Sequence, residues 1–402
     1  MTQLTNKVIG INIQSEVQFF SMAPLIEELI KNNYNVKVLV NKLEYDHEGF
    51  REMAEHTAKI IKKAGLAFEA LEDYADFQFD IFLTPYMDNN IQSKCYLKYE
   101  YGTLNIKPNL TYTPELMGGF HGFLCQSTIT KNLLSVYGKT FAVDNLRFFK
   151  KHKNTTVRRS RKVVLFAPTY NDLESPEELI KIIEKLKTEY YVIVKGHHGT
   201  QYLKRNCATK TALEKAADEY YGSETNIADL ILKADVCLFG NSSAIAEALY
   251  ANIPCAIFSH NLDSFKLGGV HTSQYHFVED GYLYCCNDHN RINDVLQQTL
   301  QAESIRQQNI LSEQLFPKEF HTGVYGYIDV IKYFLEDKQA QEYIQLHNYR
   351  IQHEKESQER IVKITKELNA SKDLLEDYSK RKLYKLANKL YKLEGKLLHG
   401  KN

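Results

Sequence analysis

Apolar residues along the chain gather in short runs separated by stretches of helical period. Residues 8–13 form a short apolar run, residues 23–30 carry apolar side chains at helical spacing, and residues 35–40 form a second run. Strand, helix and strand within about 35 residues make a βαβ unit, which predicts a parallel sheet. Residues 79–85, 122–127 and 139–143 predict three further strands. A more regular series follows. It has strands at 162–168, 190–195, 236–240 and 254–258, with helices at 176–187, 228–233 and 243–250. The fold class predicted is therefore α/β: two Rossmann-like domains with parallel sheets facing a cleft, plus a C-terminal helical tail. The boundaries are 1–150 for the first domain, 151–162 for a basic linker, 163–325 for the second domain and 326–402 for a helical extension.

That extension has its own pattern. No Pro occurs after Pro317, and Ile361, Leu368 and Leu375 recur every seven residues with Ile364 offset by three, which predicts a long helix or short coiled coil. Near the end, Leu383, Leu386, Leu390, Leu393 and Leu397 share one stripe, with Lys382, Lys385, Lys389, Lys392 and Lys396 beside it. Such a helix suits an anionic membrane surface over residues 380–402, and equally a partner helix, which would make the chain a homo-oligomer.

Charge sharpens this picture. The 402 residues carry 50 Lys+Arg and 50 Asp+Glu, a net of zero, which argues against a nucleic-acid partner. Residues 380–402 hold eight basic residues and one acidic, a net of +7, which leaves −7 for residues 1–379. Residues 147–162 hold eight Lys or Arg and no acid and read as a solvated linker. No apolar run approaches the roughly 18 residues of a membrane helix. The seven cysteines lack C-x-x-C spacing, and several sit in apolar runs as reduced thiols would. The expected location is cytoplasmic, with peripheral attachment to the inner face of the membrane if the tail binds lipid.

Three constellations fall at the carboxyl ends of strands in the second series, where open α/β sheets bind ligands. At Gly240-Asn241-Ser242-Ser243 a buried strand turns into a helix, so free N–H groups and two hydroxyls can receive a phosphate, and Glu247 one turn on can take ribose or substrate hydroxyls. Lys195-Gly196-His197-His198 places a cation and two imidazoles where a diphosphate leaving group needs neutralising. Ala167-Pro168-Thr169-Tyr170 adds a hydroxyl at a third strand end. Together they point to a nucleotide-diphosphate site without a glycine-rich phosphate loop, since neither G-x-G-x-x-G nor a Walker motif occurs. In the first series, Gln14 to Glu16, Lys98 to Thr103 and Phe120 to Gly122 are the polar features placed to face the cleft.

These residues resemble the CDP-glycerol glycerophosphotransferase family, which includes teichoic acid primases and polymerases of the glycosyltransferase-B fold; the resemblance implies an acceptor-side domain at 1–150 and a nucleotide-donor domain at 163–325. The family's Ala-Pro-Thr, Lys-x-His-Pro, and Asp-Tyr-Ser-Ser followed by Asp correspond here to Ala167-Pro168-Thr169, Lys195-Gly196-His197-His198, and Gly240-Asn241-Ser242-Ser243 with Glu247. The family's Trp-His-Gly-Thr corresponds to Glu100-Tyr101-Gly102-Thr103, so its proposed catalytic His is Tyr101 here. Met22-Ala-Pro-Leu and Gly240-Asn-Ser-Ser with Glu247 are also similar to the UDP-N-acetylglucosamine 2-epimerases. The first resemblance implies a transferase that moves glycerol phosphate or a sugar from a CDP-linked donor to a hydroxyl of a bacterial cell-surface glycopolymer or its lipid-linked precursor, in teichoic acid or capsule synthesis. Thr169, Lys195, His197, Ser242, Ser243 and Glu247 would hold the donor. His197, Glu100 and Tyr101 would be catalytic, with Glu100 as the base. No metal or other cofactor would be required. A UDP-sugar transferase or epimerase, and an inactive nucleotide-binding scaffold for capsule assembly, are the alternatives.

Overall fold

The computed structural model describes residues 6–41, 50–87, 90–102, 113–152, 160–169, 176–197, 202, 207–267 and 270–399. The chain divides into two compact units, Met1–Ile344 and Gln345–Asn402.

The first unit holds two parallel sheets. Strands β1 (Val8–Asn12), β2 (Asn35–Val40), β3 (Glu69–Ala70), β4 (Gln78–Thr84), β5 (Gln92–Tyr99), β6 (Gly122–Cys125) and β7 (Lys139–Ala142) run in the order β3-β2-β1-β4-β5-β6-β7. Strands β8 (Val163–Ala167), β9 (Tyr191–Lys195), β10 (Glu219–Tyr221), β11 (Val236–Phe239), β12 (Cys255–Phe258) and, after the small hairpin β13 (Lys266–Leu267) and β14 (Val270–His271), β15 (Cys285–Cys286) run in the order β10-β9-β8-β11-β12-β15. Every pairing in both large sheets is parallel.

Helices α1 (Glu16–Lys31), α2 (Phe50–Lys63), α3 (Pro114–Met117) and α4 (Thr128–Leu134) lie between strands of the first sheet in the chain. Helices α5 (Pro176–Lys187), α6 (Cys207–Ala216), α7 (Ile227–Ile231), α8 (Ala244–Tyr250), α9 (Ser273–Glu279), α10 (Ile292–Thr299) and α11 (Ala302–Leu315) accompany the second. Two more, α12 (Gly323–Glu336) and α13 (Lys338–His399), end the chain.

The continuous apolar runs are explained by burial on both faces, the rule for all-parallel sheets. In β8, Val163 and Leu165 pack into one core with Ile193, Phe239 and Ile257. The alternate residues Val164 and Phe166 pack into the opposite core with Val192, Leu238 and Phe258. Each such side chain contributes roughly 1.5–3 kcal/mol by leaving water.

Two expectations are corrected. The first helix starts at Glu16, not near residue 23, because Ser15 caps it by accepting a bond from the Gln18 N–H at 3.4 Å; Pro24 lies inside the helix. The second correction concerns residues 323–344, most of which were read as part of the helical extension. Val324, Tyr327, Ile331 and Phe334 of α12 are buried in the core of the first sheet, beside Ile9, Ile81 and Leu97. The amphipathic spacing of α12 finds its apolar partner on that sheet. Gly323 starts the return with φ +58°, and its N–H donates to Asp144 at 2.8 Å.

Candidate functional site

The carboxyl ends of β5, β8, β9 and β11 meet at one pocket of about 150 Å³ in the first unit. The second sheet contributes Pro168, Lys195, His197, Ser242, Ser243 and Glu247 to its wall. The first contributes Val17 and Phe20 of α1, Tyr101, Gly102 and Arg147. Two strand ends that are far apart in sequence thus place cation, imidazole, hydroxyl and carboxylate around one space.

Each group has a local cause. Lys195 is the last residue of β9, so its half-buried side chain leaves the sheet at the pocket; its ammonium donates to the Gly196 carbonyl at 3.1 Å. Burial pushes that ammonium down to about 8, while Glu224, Glu16 and Glu247 pull it back up. A Cβ at the next residue, Gly196, would stand 2.2 Å from the Tyr220 hydroxyl, so any larger residue there would displace that ring. Ser242 Oγ accepts the Ala244 N–H at 3.2 Å, whereas the Ser243 hydroxyl caps nothing at the start of α8.

Glu247 is 1% exposed. Its Oε1 accepts from the Arg147 guanidinium, and its Oε2 has no hydrogen-bond partner among the described residues. Burial raises its carboxyl above the usual range, against the pull of Arg147 and Lys195. A carboxylate oxygen buried without a partner carries a desolvation cost that a ligand hydroxyl would relieve.

Arg147 was read as the start of a solvated basic run. It is instead 6% exposed and spans the pocket. Besides Glu247, its Nε donates to Ser21 Oγ at 2.9 Å, and its Nη2 to the carbonyls of Val17, at 3.1 Å, and Tyr101. Its place straight after β7, at the edge where the chain leaves the first sheet, is the only sequence signal that sets it apart from the run that follows.

The remaining residues singled out from the sequence divide clearly. Thr169 is half-buried beside the pocket-lining Pro168, and its hydroxyl is without a partner among the described residues. Tyr101 lines the pocket, but its hydroxyl bonds to that of Tyr86, and burial holds its phenol above the ordinary value. Glu100 is buried away from the pocket in an ion pair with Lys98 at 3.0 Å, so the structure does not bring it to the position expected of a base. His121 is fully buried, and its Nδ1 accepts the Tyr96 N–H at 3.0 Å, so it does not face the cleft. Glu16 is buried, with Tyr202 Oη at 2.7 Å and Thr57 Oγ1 at 3.2 Å from its two oxygens. Thr103, Tyr170 to Asp172, His198 and residues 153–159 lie outside the described residues. Among the described residues, no group of three or more His, Cys, Asp or Glu could hold a metal ion.

No family model matches the chain, and no curated protein matches it. Solved structures do match. A protein described as a UDP-N-acetylglucosamine 2-epimerase from Listeria monocytogenes is 13% identical with a TM-score of 0.54, over 83% of this chain and 97% of its own. A variant of the wall teichoic acid polymerase TagF soaked with CDPG is 14% identical with a TM-score of 0.52, over 87% of this chain and 90% of its own. S. aureus MnaA in a co-structure with UDP is 13% identical with a TM-score of 0.52, over 82% and 97%. At this identity the likeness establishes the fold: two Rossmann-like domains of the glycosyltransferase-B type.

Proposed function

We propose that the protein is a transferase that uses a nucleotide-activated donor, CDP-linked or UDP-linked, and an acceptor hydroxyl on a bacterial cell-surface glycopolymer or its lipid-linked precursor. One observation carries this reading. A cation, an uncommitted serine hydroxyl and a buried carboxylate oxygen without a partner converge at strand carboxyl ends of a glycosyltransferase-B fold. Lys195 and His197 neutralise the departing phosphate, the hydroxyls of Ser242 and Ser243 bind its oxygens, and Glu247 Oε2 accepts from the ribose. Thr169 follows Pro168 of the pocket wall and would add a further hydroxyl to the donor. The presence of UDP in one solved structure of this fold, and of CDPG in another, supports a nucleotide as the ligand class.

Thermal unfolding of the purified chain with CMP, CDP, UMP and UDP, each with and without a chelator, tests the reading. Stabilisation by a nucleoside diphosphate is expected, insensitive to the chelator because protein cations hold the phosphates. At a hundred times the dissociation constant the stabilisation amounts to about 2.7 kcal/mol. No shift with any nucleotide would refute the reading and leave a scaffold. Selective response to UDP would favour a sugar transferase or epimerase over a glycerophosphotransferase.

The tail carries the membrane part of this proposal. Helix α13 runs to His399, and Ile361, Ile364, Leu368, Leu383 and Leu386 are exposed on it. No described helix is long and apolar enough to cross a membrane. With a net of +7 over residues 380–402, the stripe attaches to an anionic bilayer, each cation contributing roughly 1 kcal/mol near the headgroups. Deleting residues 380–402 is expected to abolish co-sedimentation with phosphatidylglycerol vesicles while nucleotide binding persists. Vesicle binding by the shortened chain would refute the membrane role.

A further inference from the structure

The transfer needs a base for the acceptor hydroxyl, and neither Glu100 nor Tyr101 provides one. Glu100 is held by Lys98 away from the pocket. Tyr101 keeps its phenolic proton at neutral pH. A different set of residues gathers next to the pocket. Tyr202 Oη lies 2.7 Å from Glu16 Oε1, 2.9 Å from His56 Nδ1 and 2.8 Å from Ser223 Oγ. Ser223 is itself in the pocket wall. The cluster joins α1 and α2 of the first half to Tyr202 and Ser223 of the second.

The hydrogen-bond inventory fixes who donates. A carboxylate only accepts, so the single Tyr202 proton goes to Glu16. Burial and Glu16 both raise the Tyr202 phenol, which keeps that proton in place. The two lone pairs of Tyr202 Oη then receive Ser223 Oγ–H and His56 Nδ1–H. A neutral His56 protonated on Nδ1 carries its lone pair on Nε2. A carboxylate thus orients an imidazole through one tyrosine hydroxyl and stabilises the imidazolium that forms, the arrangement a general base requires.

We propose that His56 is the general base of the transfer and that Tyr202 and Glu16 are its positioning residues. This rests on the transferase reading above. The acceptor O–H gives its proton to His56 Nε2. The oxygen lone pair attacks the electrophilic carbon or phosphorus of the donor, and the bond from that atom to the nucleotide phosphate oxygen breaks. The electron pair leaves on the phosphate, beside Lys195. His56 afterwards loses its proton to solvent. The charged or titratable groups described around this cluster include Glu16 of α1, Tyr202 and Glu224 from the second half, and Glu52, Glu55 and Lys59 on the helix of His56.

The test uses the full chain with UDP-N-acetylglucosamine and CDP-glycerol as donors and glycerol as acceptor, reading nucleotide release, with nucleotide affinity measured separately by calorimetry. His56→Ala is expected to bind nucleotide as the wild type does, to lose roughly 10²–10⁴-fold in kcat, and to regain part of its rate with added imidazole. Tyr202→Phe, which removes only the oxygen on Nδ1, should lower kcat less and change the nitrogen NMR signature of the His56 ring. Unchanged kcat in His56→Ala, or a loss that imidazole does not restore, overturns the proposal while leaving the transferase reading standing. A wild type that binds no nucleotide overturns that reading itself. If the wild type binds nucleotide yet releases none from either donor, nitrogen NMR of the His56 ring decides. Protonation on Nδ1 alone supports the assignment, and protonation on Nε2 alone overturns it.

Discussion

Replacing Arg147 by Ala is expected to lower the stability of the protein by about 3–5 kcal/mol, the cost of leaving a buried charge without its partner. The guanidinium is buried and holds Glu247, Ser21 and the carbonyls of Val17 and Tyr101. Removing it leaves the Glu247 carboxylate, 1% exposed, without its partner, while the two carbonyls keep Ser21 Oγ, at 3.1 and 3.3 Å. The Glu247 carboxyl, already raised by burial, would then rise further. Its proton is bound more tightly folded than unfolded, so the damage is least at low pH and grows as the pH climbs through the folded value. The pair as a whole is far less valuable than either member's partnership. Arg147→Met with Glu247→Leu should therefore recover most of the loss while abolishing ligand binding. Thermal unfolding of the two single variants and the double variant at pH 5 and pH 8 checks this. An Arg147→Ala protein as stable as the wild type at pH 8 would show that the guanidinium does not hold the two sheets' strand ends together.

The second large effect is on binding. Lys195→Ala is expected to weaken nucleoside diphosphate binding about 10–100-fold at pH 7, the value of a charge-assisted hydrogen bond to phosphate. The pH dependence is specific. With the Lys195 ammonium pushed down to about 8 by burial, affinity in the wild type should fall as the pH rises through that value. In Lys195→Ala it should not. The empty protein behaves oppositely. The ordinary lysine value of 10.5 lies above the folded one, so the unfolded chain binds the proton more tightly between about 8 and 10.5, and stability rises with pH across that window. Calorimetric titrations with CDP and UDP from pH 6.5 to 9.5 separate the two trends. A wild-type affinity indifferent to pH would remove Lys195 from the phosphate site.

How far these residues could be read from the sequence depends on how local their signals are. Residues 163–167, 236–239 and 255–258 are buried on both faces, so each stands out as an unbroken apolar run between polar turns. Lys195, His197, Ser242, Ser243 and Glu247 were legible for the same reason, since each follows such a run at a strand end. Glu100 was misplaced because it pairs with Lys98, two residues before it, while its neighbour Tyr101 faces the pocket; nothing local in the sequence separates the two. Arg147 was hidden among the basic residues that follow it, because a lone arginine has no period. The return of α12 to the first sheet was invisible for a related reason. Val324, Tyr327 and Ile331 announce an apolar helix face, but nothing local says that its partner lies more than two hundred residues earlier. The junction of His56, Tyr202 and Glu16 joins residues 146 and 186 positions apart. Only the fold assembles it.

The most direct measurement is a crystal structure of the protein soaked with CDP or UDP. The diphosphate is expected within hydrogen-bonding distance, about 3 Å, of Lys195 Nζ and the hydroxyls of Ser242 and Ser243, with a ribose hydroxyl on Glu247 Oε2. A nucleotide bound elsewhere, or a pocket in which Glu247 Oε2 and Lys195 are left untouched while the nucleotide is held by other groups, would contradict the central claim that this junction of the two sheets is the donor site.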